Sequence, residues 1–221
     1  MSSLAERLAS VTSDVADAVR AADRDPASVT TIVVTKFHPA SLVRELSELG
    51  VEHVGENRHQ DAGPKARELT DLPLTWHFIG QLQSNKVRAV LEYARVIHSL
   101  DRPSLIAPLT GSNAEAFIQL NLTEDDGRGG VRPEGLDAFA ESVLAASGIR
   151  LRGLMAVAPL DEEPRAAFAR VRAASERLQR IAPDATQLSM GMSGDFREAV
   201  LEGATHLRIG TAITGNRPLA G

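Results

Sequence analysis

Short apolar runs rich in β-branched residues alternate with longer amphipathic stretches along most of the chain. This is the pattern of repeated strand–helix units that build a parallel sheet. Strands are predicted at 31–36 (TIVVTK), 52–57 (EHVGEN), 76–80 (WHFIG), 96–100 (VIHSL), 116–122 (AFIQLNL), 152–157 (RGLMAV), 186–191 (TQLSMG) and 206–213 (HLRIGTAI). Helical periods such as PASLVRELSELG, SNKVRAVLEYA and PRAAFARVRAASERLQRIA separate them, several opened by Pro, Ser or Asp and closed by Gly. The weakest helical pattern covers 102–112. An acidic helical stretch precedes the first strand and carries no basic segment followed by an apolar one, so no secretion signal is expected. Eight strands, each followed by a helix, specify an α/β fold: a single (β/α)8 TIM barrel with an extra N-terminal helix, one domain over 1–221. A doubly wound open sheet is the alternative, with fewer strands.

Composition narrows the function classes. At 43% hydrophobic and 24% charged, the 221 residues have the balance of a soluble globular protein. The 24 Lys and Arg against 29 Asp and Glu leave a net charge of −5, so nucleic acid is not an expected partner. No apolar run approaches the roughly 20 residues of a membrane helix, and a cytoplasmic location is expected. Cysteine is absent, which removes disulfides, thiolate metal sites and cysteine nucleophiles. The six histidines show no metal spacing; His53 and His59, with Glu52 and Glu56, do not form a helical HExxH.

Barrel sites lie at the C-terminal ends of the strands, and the polar residues there can be read directly. Lys36 ends the first strand, Asn57 the second, and His77 lies within the third. The seventh and eighth strands run into GMSGD and RIGTAITG. Loops in these positions frequently hold phosphate through backbone N–H groups. Ser193 offers a hydroxyl, Gly194 close backbone approach, and Gly210 with Thr211 the same from the neighbouring loop. The alternative is that these glycines only make tight turns. Only three of the 24 cationic residues are lysines, so an amine at position 36 points to amine chemistry. Desolvation at the barrel mouth would make it nucleophilic toward aldehydes; a lysine paired to a carboxylate is the bland alternative. An amine on strand one and a phosphate cradle on strands seven and eight are neighbours once the barrel closes, and together they suit pyridoxal 5′-phosphate. Arg208, two residues before Gly210, either faces the ring of that cofactor or makes an ordinary ion pair. Gln81, Gln83, Asn85 and Lys86 either bind a ligand or cap the next helix.

The segments VTKFHPA, VGENRHQDAGPKA, WHFIGQLQSNKVRAV, LRGLMAV and LSMGMSGDFREAVLEGATHLRIGTAITG resemble the YggS/PROSC family of pyridoxal phosphate homeostasis proteins. The resemblance covers nearly the whole chain after the first helix. It implies a fold-type III barrel like the N-terminal domain of alanine racemase and Schiff-base formation at Lys36. It further implies phosphate contacts from Ser193, Gly210 and Thr211, Arg208 facing the pyridine nitrogen, and Asn57 near the ring. The implied role is to carry or buffer the cofactor for vitamin B6 and amino-acid balance, as a monomer, with apo pyridoxal-dependent enzymes as recipients. The loop after Lys36 departs from the family in Phe37 and His38, and Arg128 stands where lysine is commoner. The rival is a racemase or related enzyme. Two-base racemisation needs an acid or base opposite the lysine, and Tyr93, the only tyrosine, is expected away from the site. His38 and His77 are the remaining candidates for that role.

Overall fold

The computed structural model describes residues 2–125 and 127–216. Helix α1 (Leu4–Ala21) precedes eight strands: β1 (Thr30–Val34), β2 (His53–Glu56), β3 (Thr75–Phe78), β4 (Ala94–Leu100), β5 (Ala114–Gln119), β6 (Ile149–Met155), β7 (Gln187–Ser189) and β8 (His206–Ile209). Helices α2 (Ala40–Glu48), α3 (His59–Glu68), α4 (Val87–Leu91), α5 (Ile106–Leu109), α6 (Leu136–Leu144), α7 (Pro164–Leu178), α8 (Phe196–Leu201) and α9 (Thr211–Thr214) follow them in turn. Every strand pairs in parallel with its sequence neighbour, and β1 pairs with β8 from Thr30↔His206 to Val33↔Ile209, which closes the barrel. All eight predicted strands are present. The weak stretch at 102–112 holds Pro103–Leu105 as a 3-10 turn and α5, the shortest connection in the ring.

Successive side chains of a strand point to opposite faces. One set, including Val33, Val54, Trp76, Phe78, Ile97, Ile118, Leu154 and Leu207, packs with Val43, Leu46, Val90, Phe168 and Val171 of the helices in one continuous apolar layer. Full burial of each such side chain contributes roughly 1.5–3 kcal/mol, so most of the stability lies between strands and helices. The other set turns inward. There Val96, Phe117 and Met155 form a small separate cluster, and buried His77, His98, Ser189 and Arg208 fill much of the remaining space. Barrel interiors of this fold are usually filled by branched aliphatic residues; this one is polar.

Two glycines are required by close approach. A Cβ on Gly80 would lie 2.0 Å from the carbonyl oxygen of Asn57, so the end of β3 can rest against the end of β2 only without a side chain. Gly153 has φ +147°, and a Cβ there would meet the Gln187 carbonyl at 1.8 Å. Helix α1 opens on a capping box in which Ser3 and Glu6 satisfy each other's backbone N–H groups. Arg7 Nε of α1 donates to the Ile213 carbonyl of α9 at 2.7 Å, and Asp14 pairs with Arg197 of α8 at 2.6 Å. The extra helix therefore braces the two elements that follow β7 and β8. Among the described residues no helix is long and apolar enough to cross a membrane.

Candidate functional site

The C-terminal strand ends open onto a cavity of about 300 Å³ lined by Val34, Lys36, Asn57, Ile79, Val157, Met192, Ser193, Gly194, Arg208, Gly210 and Thr211. Seven of the eight candidate residues meet there. His77 does not.

Lys36 lies two residues beyond the end of β1, in a tight turn closed by the His38 N–H donating to the Thr35 carbonyl at 3.1 Å. Phe37 occupies the turn at φ +69°, a left-handed conformation that an aromatic residue adopts at a cost of about 1–3 kcal/mol. The turn is held from beneath. Buried Lys65 of α3 donates from Nζ to the Thr35 carbonyl at 2.9 Å and pairs with buried Glu56, which also accepts from Thr35 Oγ1 at 2.7 Å. Burial pushes the Glu56 carboxyl above its ordinary range, against the opposing pull of Lys65. Lys36 itself is exposed, with Nζ 5.9 Å from the centre of the Phe37 ring. The expected desolvation at the strand end is thus missing: the turn carries Lys36 out of the apolar strand, and the buried lysine is Lys65. Access, not burial, distinguishes Lys36.

Arg208 is buried, donates from Nη1 to Ser189 Oγ at 2.8 Å and from Nη2 to the Ala156 carbonyl at 2.9 Å, and still lines the cavity. Burial lowers it to about 10, with Asp195 pulling the other way, so it remains a cation at neutral pH. Its hydrogen-bond partners are thus a hydroxyl and a carbonyl and not a carboxylate. The loops after β7 and β8 bring Met192, Ser193 and Gly194 against Gly210 and Thr211, with Asp195 Oδ1 accepting from the Met192 N–H at 2.6 Å to fix the first loop. The side-chain oxygen of Asn57 is buried and without a hydrogen-bond partner. An orphaned acceptor, an exposed amine, hydroxyl- and glycine-bearing loops and apolar walls from Val34, Ile79, Val157 and Met192 fit a flat, phosphorylated aldehyde.

His77 sits deep within the barrel, where its two ring nitrogens meet His53 Nδ1 and His98 Nε2, both at 2.9 Å. Strand alternation turns it inward, but its level lies below the cavity. His38 is buried beside the Lys36 turn and is not on the cavity wall. Tyr93 stacks on His59 outside the barrel at 5.9 Å and meets Trp76 edge-on, in the outer layer as expected. Gln81, Gln83 and Lys86 line a second, smaller cavity with Arg58 and His59, next to the first through their shared Asn57. Among the described residues no group of three or more His, Asp or Glu is arranged to hold a metal ion. Thr35, Glu56 and Lys65 were not legible as site residues: Lys65 reads as part of an amphipathic helix, and its one sequence signal is the scarcity of lysine.

A closed (β/α)8 barrel with an amine after the first strand and small hydroxyl-bearing loops after the last two is the architecture of the alanine racemase class, and residues 10–218 match the family described as alanine racemase, N-terminal domain. The resemblance in the sequence is borne out more closely still: the chain belongs to the family of pyridoxal phosphate homeostasis proteins. A protein of that name from Pseudomonas aeruginosa is 42% identical over 98% of this chain and 97% of its own. PipY of Synechococcus elongatus PCC7942 is 40% identical, over 96% of this chain and 100% of its own. Its structures superpose with TM-scores of 0.86 without PLP and 0.84 with PLP bound. Alanine racemase from Corynebacterium glutamicum, 16% identical with a TM-score of 0.70 over 94% of this chain and 62% of that one, shares the fold.

Proposed function

We propose that this protein binds pyridoxal 5′-phosphate, with Lys36 as the amine that takes the aldehyde, and carries or buffers the cofactor without robust turnover of amino acids. The observation that carries this reading is the meeting of Lys36, Ser193, Gly194, Arg208, Gly210 and Thr211 around one cavity. Ser193 and Thr211 hydroxyls and the backbone of the two glycine loops would hold the phosphate, Asn57 would accept from the ring hydroxyl, and Arg208 would face the ring nitrogen. When bound, the cofactor supplies an electrophilic aldehyde on an electron-withdrawing ring. One structure of PipY has PLP bound, and the relative from Pseudomonas aeruginosa takes its name from homeostasis of the cofactor. The same reading makes the chain a monomeric cytoplasmic barrel, one domain over 1–221. Apo pyridoxal-dependent enzymes would be its recipients, and it would bind neither nucleic acid nor metal.

Borohydride reduction of the loaded protein followed by peptide mapping tests the assignment. The phosphopyridoxyl group is expected on Lys36; a label on Lys65 or Lys86 with Lys36 unmodified would overturn it. Incubation with a panel of amino acids in deuterated water separates carriage from catalysis. Rapid exchange of the α-proton, lost in Lys36→Ala, would make the protein an enzyme.

A further inference from the structure

Hydrogen bonds connect the cofactor cavity to the opposite face of the barrel. Arg208 Nη1 donates to Ser189 Oγ at 2.8 Å, and Ser189 Oγ meets His98 Nδ1 at 2.8 Å. His98 Nε2 meets His77 Nδ1, and His77 Nε2 meets His53 Nδ1, each at 2.9 Å. Five strands contribute one residue apiece. His53 opens β2 at the N-terminal end of the barrel and is half-buried, whereas the other four are buried.

The polarity of this chain follows from donor chemistry. A guanidinium only donates. Ser189 accepts from Arg208, and of the two arrangements its second lone pair allows, only the one that gives its proton to His98 Nδ1 leaves that proton paired. A neutral imidazole that accepts at Nδ1 carries its proton on Nε2, which gives His98 as donor to His77, and His77 as donor to His53. Burial keeps the rings neutral: it lowers His53, holds His98 well below its ordinary value and takes His77 to about 3.

Resting on the reading of the cavity as a pyridoxal phosphate site, we propose that His98, His77 and His53 are positioning residues for Arg208. They form a one-way hydrogen-bond chain, its direction set by the guanidinium, that makes the hold of Ser189 on Arg208 sensitive to a proton arriving at His53. A proton taken from solvent by His53 places N–H groups on both of its ring nitrogens, and Nδ1 no longer accepts from His77. The chain re-forms only with every imidazole in its other tautomer. Ser189 then receives from His98 as well as from Arg208, and its own proton is left without either partner. The surrounding charges set how readily this happens. Burial of His53 opposes uptake and Glu52 beside it favours uptake, while a charge on His53 in turn disfavours one on His206, which Arg152 and Arg208 also hold down. Asp195 is the carboxylate that faces Arg208.

Histidine-15N NMR of the cofactor-free protein tests the polarity. At neutral pH His53, His77 and His98 are expected as Nε2–H tautomers, and Arg208→Met, which frees Ser189 to accept, is expected to shift His98 toward Nδ1–H. An Nδ1–H form of His98 or His77 in the wild type, or identical tautomers in Arg208→Met, would overturn the proposal. The coupling is read from the Kd of pyridoxal phosphate between pH 8 and 5.5 in the wild type and in His53→Gln, whose amide accepts from His77 but takes up no proton. Equal affinities are expected at pH 8, with the wild type weakening in acid by up to about tenfold per pH unit more than the variant; matching profiles would overturn the coupling. A protein that binds no pyridoxal phosphate at any pH overturns the functional reading instead, and the tautomers then decide the chain alone.

Discussion

The polar interior of the barrel should make the protein labile in mild acid. His77 and His206 are pushed down to about 3 and about 4, chiefly by burial, against about 6.5 in an unfolded chain. With folded values depressed, the unfolded state binds more protons below pH 6.5, so stability present above that pH is lost as pH falls toward the folded values. At pH 5 each of these two histidines costs the native state about 2 kcal/mol, because the unfolded chain is charged there and the native one is not. Burial raises the carboxyls of Glu56, Asp101 and Asp195, and these act in the opposite sense, gaining their protons in the folded state first. A difference measurement removes them. His206→Gln keeps a hydrogen-bonding side chain for Thr205, whose Oγ1 lies 2.9 Å from His206 Nδ1, but cannot titrate. Urea unfolding at pH 7.5 and pH 5 should therefore show a stability loss in the wild type that exceeds the loss in His206→Gln by about 2 kcal/mol. At an m-value of about 2–3 kcal/mol/M, that is close to 1 M in midpoint. Equal losses in the two proteins would refute the reasoning, since they would mean that His206 is as free to charge in the fold as in water.

Three further outcomes follow from single contacts. Lys65→Met should destabilise by about 3–5 kcal/mol, because it leaves Glu56 buried without its cation, and Lys65→Met with Glu56→Gln should recover part of that loss; calorimetric unfolding checks both. Gly80→Ala forces a Cβ onto the Asn57 carbonyl, so thermal unfolding should report roughly 1–3 kcal/mol of destabilisation, together with weaker cofactor binding. Pyridoxal lacking the phosphate should be lost on dialysis that the phosphorylated form survives, each missing charge-assisted hydrogen bond contributing about 1.5–3 kcal/mol; equal retention of the two would remove the phosphate cradle from Ser193, Gly210 and Thr211.

The sheet was legible because a parallel barrel writes each strand as an apolar run between helical periods, and strand ends erred by only a few residues. Those few residues mattered at Lys36. The run TIVVTK reads as a strand to its end, but a left-handed Phe37 folds the chain back after Val34, and no residue preference announces a positive φ at an aromatic side chain. The loop residues of the cavity were legible because glycine and hydroxyl residues stand at strand ends, where sites lie. The interior was not. A strand buried on both faces gives no polar alternation, so nothing in the sequence distinguishes the inward His98 and Ser189 from outward neighbours, and the contact between those two joins positions 91 residues apart.

On the proposed reading, the cavity would separate holding the cofactor from activating it. Of the described residues that line it, Lys36 and Arg208 alone ionise. Proton transfer on both faces of a bound amino acid needs a second acid or base opposite the lysine, and each candidate lies elsewhere. Tyr93 is on the outer side of β3, His38 is buried beside the turn, and both ring nitrogens of His77 are engaged below the cavity. Arg208 cannot substitute, because at about 10 its guanidinium stays charged and it has no lone pair with which to accept. On the proposed reading, a fixed positive charge beside the ring nitrogen would also oppose protonation of the ring and weaken its capacity to stabilise a carbanion. Exposure of Lys36 works in the other direction, since an amine open to solvent is open to exchange with other amines. These features act on different steps, and on the proposed reading both would favour release of the intact cofactor over reaction at the α-carbon.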